Sequence, residues 1–235
     1  LDLSFAYRLP LNADKSTKLS LGLMGSIFNL NDRRKSDGTY VQPTDPSIQD
    51  YSTWIPNFGF GTYLYSKRYF IGASMPHILR PQISNVALAS TDTVWSKVYN
   101  HFFASAGYVF GPETGIKFKP TAFFKISQNS SVNLDLNANI LFQERFWVGL
   151  GYRLGGDVIN ESGQFKQFGG IRGESIVATF KMLATQQLEI GYSYDFPLSN
   201  LRNNTSGSHE LYVGYDLCSS SGKVRFVSPR YVNYF

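Results

Sequence analysis

The chain has 235 residues, enough for one sizeable β domain, and carries 22 Lys and Arg against 17 Asp and Glu, a formal net charge of +5. Aromatics make up 16% of it, led by 19 Phe and 15 Tyr, and Gly is frequent at 21, a composition that favours strands over helices. No uncharged run reaches the roughly 18 residues of a transmembrane helix, which argues against a helical membrane protein. The single cysteine, Cys218, leaves no intrachain disulfide and no cysteine-based metal site. The one dense basic cluster, Arg33-Arg34-Lys35, is flanked by Asp32 and Asp37 and reads as a solvated loop, not a nucleic-acid contact.

In chain order, eleven segments read as strands: 1–9, 18–30, 56–66, 68–77, 98–110, 116–127, 131–142, 145–154, 173–183, 187–197 and 208–217. The first already alternates, with Leu1, Leu3, Phe5, Tyr7 and Leu9 on one face. In 116–127, Phe118, Ala122, Phe124 and Ile126 oppose Lys117, Lys119 and Lys125. Pro120 removes a ladder donor there, so a bulge or edge-like defect is expected. In 131–142, Val132, Leu134, Leu136, Ile140 and Phe142 oppose Asn133, Asp135, Asn137 and Asn139, and in 145–154 Val148, Leu150 and Tyr152 oppose Gly149, Gly151 and Arg153. The last two segments put Leu188, Ile190, Tyr192, Tyr194 and Phe196, then Leu211, Val213 and Tyr215, against Glu189, Asp195 and Glu210.

Most segments have about the ten residues that a tilted strand needs to cross a bilayer, longer than the usual soluble strand. Connections after the odd-numbered segments are short and those after the even-numbered ones long, with 128–130 the one exception. Transmembrane barrels sort their loops in this way, with short periplasmic turns, and tolerate charges only on the face away from lipid. The expected fold is therefore all-β, an antiparallel transmembrane up-and-down β-barrel over 1–217, followed by a periplasmic C-terminal tail over 218–235. With long loops extracellular, the first segment runs inward. An even barrel then requires one or more strands before Leu1, about 12–14 strands in all.

The stretches WIPNFGFGTYLYSKRYFIGASMPHIL, YNHFFASAGYVF, IKFKPTAFFKI, RFWVGLGYR, IGYSYDFPLSNL, GSHELYVGY and SPRYVNYF occur in this order. Together they resemble the PorP/SprF family, membrane proteins of the Bacteroidetes type IX secretion system. The YSYD…GSHE block and the SPRY ending carry most of the specificity. Val232, Asn233 and Tyr234 intervene where the family pattern brings PRY promptly to a terminal Phe. The resemblance implies an outer-membrane barrel serving protein secretion, surface anchoring or gliding motility. Its partners would be periplasmic ring proteins of the secretion machine and a secreted surface protein with a C-terminal sorting domain. It also implies a signal peptide and a further N-terminal segment without counterpart here.

Ser208-His209-Glu210 invites a hydrolase reading, but adjacent strand residues face opposite ways and cannot form a triad among themselves. His77 and His101 have no metal-ligand spacing. No catalytic, cofactor or metal site is expected. Arg153, Lys181, Glu189, Asp195, Glu210 and Asp216 form a lumenal network of both signs, in which Glu210 would pair with Arg153, Lys181 or Lys125. Interleaved charges of this kind suggest an occluded interior. Tyr63, Tyr65, Tyr69, Phe70, Trp147, Tyr152, Tyr192 and Tyr194 are expected in the interfacial aromatic girdles, with carbohydrate stacking as the alternative. Ser228, Pro229, Arg230 and Tyr231 are the candidate docking residues for a periplasmic partner, and the loops 31–55 and 78–97 the candidates for holding a surface protein. The leading function is an adaptor in the outer-membrane lipid. A channel for small solutes is the alternative, and a soluble carbohydrate-binding sandwich the third reading.

Overall fold

The computed structural model describes residues 1–32, 51–80, 82–83, 96–97, 99–112, 114–127, 131–143, 145–159, 165–166, 172–185, 187–198 and 205–215. Eleven long strands follow one another: β1 (Asp2–Pro10), β2 (Lys18–Asp32), β3 (Tyr51–Tyr65), β4 (Tyr69–Met75), β5 (His101–Tyr108), β6 (Lys117–Ser127), β7 (Ser131–Phe142), β8 (Phe146–Ile159), β9 (Arg172–Leu183), β10 (Leu188–Pro197) and β11 (Ser208–Tyr215). Each pairs antiparallel with its sequence neighbours in one up-and-down sheet. The two-residue strand Phe165–Lys166 adds to the end of β8, and Gln82–Ile83 pairs with Ser96–Lys97 apart from the sheet. Every expected segment is a strand, and the class is all-β. The sheet is not closed among the described residues: β1 and β11 are its two edges and do not pair with each other. Among the described residues no helix is long and apolar enough to cross a membrane.

Strand alternation and the registers sort the side chains into two unlike faces. The outer face is predominantly apolar and, among the described residues, carries no Lys, Arg, Asp or Glu in the regular part of the strands. It is also uncovered: Leu23 is 67% exposed, Leu150 62% and Leu211 76%. Among the described residues the buried side chains, apolar Ile55, Phe70, Val109 and Leu141 and polar Asn57, Lys117, Ser127 and Ser175, lie on the inner face. A wide apolar surface outside a small, partly polar interior is the inverse of a water-soluble sheet, and matches a strand wall solvated by lipid. One device keeps the outer face free of charge. Parity would turn Glu174 outward, but the register shifts beside Arg153 and the resulting bulge lays the Glu174 carboxylate over Gly155 on the inner face.

The connections after β1, β3, β5, β7 and β9 gather at one end. In the first, Asn12 Oδ1 accepts from Thr17 N at 2.9 Å, and hydrogen bonds from the Ser16 hydroxyl and amide hold the Asp14 carboxyl below its ordinary pKa. The second turns at Lys67-Arg68, where Ser66 N donates to Tyr69 O at 2.9 Å. At the other end β2 and β3 pair over 15 residues each, beyond the span of about 9–11 that a bilayer requires.

β4 accompanies β3 only from Phe60 to Tyr65, so Tyr51–Gly59 forms an edge above it. That edge is closed off locally. Pro76 leaves the sheet over the inner face of Gly59, where a Cβ would collide with the Pro76 carbonyl. The Asn57 amide, 1% exposed, donates to Leu79 O at 3.1 Å and accepts from Leu79 N at 3.1 Å and Phe58 N at 2.9 Å. Ile78 N donates to Phe58 O at 2.9 Å. N–H and C=O of alternate residues point to the same neighbour, so Pro56 turns its ring nitrogen, which has no hydrogen, towards this same edge. A second proline interrupts the wall differently from expectation. Pro120 pairs with Ala138 of β7 in unbroken register, without a bulge. Towards β5 the ladder reaches Gly107–Thr121, skips Pro120, and resumes in the same register with Phe110–Phe118 bonds of 2.8 and 3.0 Å. On the opposite side Val109 donates to Arg68 O at 2.7 Å and continues the register of the β4–β5 ladder.

Replacing Asn57 by Ala leaves the Leu79 peptide and the Phe58 N–H without these partners in a buried position. Stability should fall by about 1–3 kcal/mol, read as a lower transition temperature of the folded-to-unfolded gel shift in detergent. Asn57→Asp, which keeps the acceptor and loses the donor, should fall between.

Candidate functional site

Charge collects on the inner face because the outer face excludes it. Arg153 stands directly opposite Asp135, and its Nε donates to Asp135 Oδ1 at 3.1 Å. Its Nη1 reaches over β9 to Asp195 Oδ2 on β10 at 2.9 Å. One guanidinium thus ties together three strands, β7, β8 and β10, across the intervening β9, and its planar fork suits two carboxylates better than an ammonium would. Lys181 pairs with Glu189 at the short-turn end of β9 and β10. Glu210 does not find a cation as expected. It accepts from its cross-strand neighbour Ser193 at 3.3 Å, while Arg153 and Lys181 are engaged by other carboxylates. Asp216, Ser228, Pro229, Arg230 and Tyr231 lie outside the described residues.

The YSYD and GSHE stretches, far apart in the loop between them, face each other across β10 and β11. Asp195 pairs with Ser208, Tyr194 with His209 and Ser193 with Glu210. Gly207 starts the second stretch at φ +106, with a Cβ position that would collide with Asp195 O. Two faces then serve different purposes. Asp195 turns inward to Arg153. Outward, the Tyr192 hydroxyl and His209 Nδ1 share a hydrogen bond of 2.6 Å, the Tyr194 ring lies 4.7 Å from the His209 ring, and the Tyr194 hydroxyl donates to Ser206 O. The three residues Ser208, His209 and Glu210 are split between the two faces and build no triad. Among the described residues no cluster of His, Cys, Asp or Glu could hold a metal ion.

The aromatic expectation is corrected in part. Tyr69, Tyr152, Tyr192 and Tyr194 face outward, as a girdle requires, but Tyr63, Tyr65, Phe70 and Trp147 face inward. The outward parity of β3 belongs to Trp54, Phe58 and Phe60, which the even spacing of aromatics around the turn conceals. The Tyr63 ring lies over Gly72, where a Cβ would come within 2.6 Å, and Phe70 lies over Gly107. The rings of Tyr63 and Phe70 stack at 5.9 Å. Further round the wall, His101, Phe103 and Phe123 form a column with centroid spacings of 6.2 and 6.0 Å, and Lys119 sits 5.7 Å from the Trp147 ring. Between these groups the inner wall holds a cavity of about 650 Å³. Nothing in the sequence flagged it, since its floor consists of small residues contributed by separate strands.

Removing the Arg153 fork should expose how far Asp135 and Asp195 depend on it. All three side chains are partly solvated, at 42%, 29% and 23% exposure, so the expected loss for Arg153→Ala is moderate, about 1–2 kcal/mol. A double-mutant cycle with Asp195→Ala should give a coupling above about 0.5 kcal/mol. A coupling of zero would show that the contact contributes nothing to stability.

The profile of the family described as type IX secretion system membrane protein PorP/SprF matches residues 1–215, the whole of the strand meander. No curated protein matches the sequence. An all-β sheet with a charge-free outer wall fits a membrane protein, and the chain belongs to the PorP/SprF family of type IX secretion system membrane proteins.

Proposed function

We propose that the chain is a non-catalytic outer-membrane β-barrel component of the type IX secretion system. It acts as an adaptor or anchor between secreted surface proteins and the periplasmic secretion or gliding machinery. The long connections after the even strands are extracellular in this reading, and the short turns and the C-terminal tail periplasmic. Family membership supports the secretion system. The adaptor role rests on the inner wall: Arg153 engages Asp135 and Asp195, and Lys181 engages Glu189. Charges that neutralise one another provide no single-sign ring to select and pass ions. The working surfaces are then the two rims. A surface protein carrying a C-terminal sorting domain would engage the loops 31–55 and 78–97. Ring proteins would engage the tail through Arg230, as a bidentate donor, and Tyr231, as an apolar anchor.

The inner-wall cavity favours a second reading, a channel for small solutes. Affinity purification of the intact protein from outer membranes in mild detergent, followed by mass spectrometry, separates the two. The adaptor reading expects ring proteins or a large surface protein with a sorting domain. It also expects Arg230→Ala with Tyr231→Ala to lower ring-protein recovery while the heat-modifiable band is unchanged. Recovery of the protein alone, with substantial single-channel conductance in a planar bilayer, would move the assignment to the channel.

A further inference from the structure

The inner-wall cavity between β2 and β6 has a composition unlike the rest of the wall. In register across β1 to β4, Ala6, Gly22, Gly61 and Ser74 lie side by side, so the floor there is nearly flat. Aromatic rings rise at its borders. Tyr63 stands on one side, its ring edge over Gly72. Phe103 and Phe123 stand on the other, stacked at 6.0 Å and an interplanar angle of 22°. Phe123 is 38% exposed although it faces inward. Apolar ring surface left open in a polar interior is costly unless something covers it.

The polar groups beside the rings are hydroxyls. Those of Ser20, Ser74, Ser105 and Thr121 line the cavity and hydrogen-bond to no other described residue. Lys119 supplies a cation 5.7 Å from the Trp147 ring, and among the described residues that line the cavity none is a carboxylate. The backbone N–H and C=O groups of the floor are already used in the β2–β5 ladders, so an extended peptide would find no main-chain partners there. Free hydroxyls can donate or accept as required, and ring faces attract the C–H surface of a pyranose.

The geometry points to a saccharide-binding site on the inner wall. Its ligand is a short oligosaccharide, neutral or acidic, with sugar rings stacked on Tyr63 and Phe123 and hydroxyls bonded to Ser20, Ser105 and Thr121. Lys119 favours carboxylate-bearing sugars over amino sugars. This site is independent of the adaptor role: a failure to co-purify partners leaves it standing, and an empty cavity leaves the adaptor standing.

Titration calorimetry on the intact protein in detergent tests it, with maltohexaose, an oligogalacturonate and a chitosan oligomer as probes. Expected are binding of the first two, a preference for the oligogalacturonate that Lys119→Gln abolishes, and weaker binding of both by about tenfold or more in Tyr63→Ala and in Phe123→Ala. Ser105→Leu fills the cavity without removing a ring. It should block binding while the heat-modifiable band remains, which guards against loss through misfolding. Absence of heat with all three probes overturns the site. Binding that is unchanged in Ser105→Leu and Phe123→Ala overturns its location. Protection of an engineered Ser105→Cys thiol by an uncharged peptide, but by none of the sugars, overturns the ligand class in favour of a polypeptide.

Discussion

One face of this sheet admits no charge, and the other must accommodate them all. That partition follows from a period of two, since a strand residue has only two directions available. Once the outer wall is given to leucine, isoleucine, valine and aromatics, every Lys, Arg, Asp and Glu of the regular strands becomes a neighbour of the others inside. The inner wall then has to resolve their interactions. Arg153 spans between Asp135 and Asp195, Lys181 meets Glu189, and a bulge is spent on swinging Glu174 to the same side. A slip of one residue in any strand would reverse the partition for that strand alone, so the charge network also guards the register.

The same partition shapes how the wall ends. A sheet in lipid cannot leave main-chain groups open, whereas one that emerges into water can. The upper part of β3 is dressed for emergence: Asn57 satisfies the amide of Phe58, Ile78 occupies its carbonyl, and Pro56 presents no donor. An exposed edge so prepared resists unplanned strand addition. The chain is thereby released from the sheet at Pro76, on the inner side, at the end where the long connections begin. A scaffold that gives its rims to partners needs such a boundary between rigid wall and adaptable loop.

Much of this was legible in the sequence because the pattern is redundant. Eleven alternating segments, each near bilayer length and sorted by loop size, need no tertiary information, and all eleven are strands. The inward placement of Arg153, Lys181, Glu189, Asp195 and Glu210 followed from parity alone. Partners did not. Parity gives a face but no neighbour two strands away, so the reach of Arg153 over β9 was hidden, and of the cations offered to Glu210, Arg153 and Lys181 are engaged elsewhere and Lys125 stands on the distant β6. Tyr63, Tyr65 and Phe70 were misplaced because aromatics occur on both parities around the turn at Lys67-Arg68. Pro120 looked like a defect in its strand, yet it costs only one rung on one side, because its neighbour on the other side never used that nitrogen.

The Arg153 fork has a consequence for how sequences of this kind can vary. Asp135, Arg153 and Asp195 belong to three different strands, and each is separated from the next by a loop or turn. A change at one of them strands the charge of another, so single replacements meet resistance that paired or triple replacements escape. The three positions should therefore drift as one unit: a relative that carries an apolar residue at 153 should have lost both carboxylates, and one that keeps both should keep the arginine. In that sense the inner wall contains a statement about ancestry, written across three strands and more than forty residues of sequence between Arg153 and Asp195.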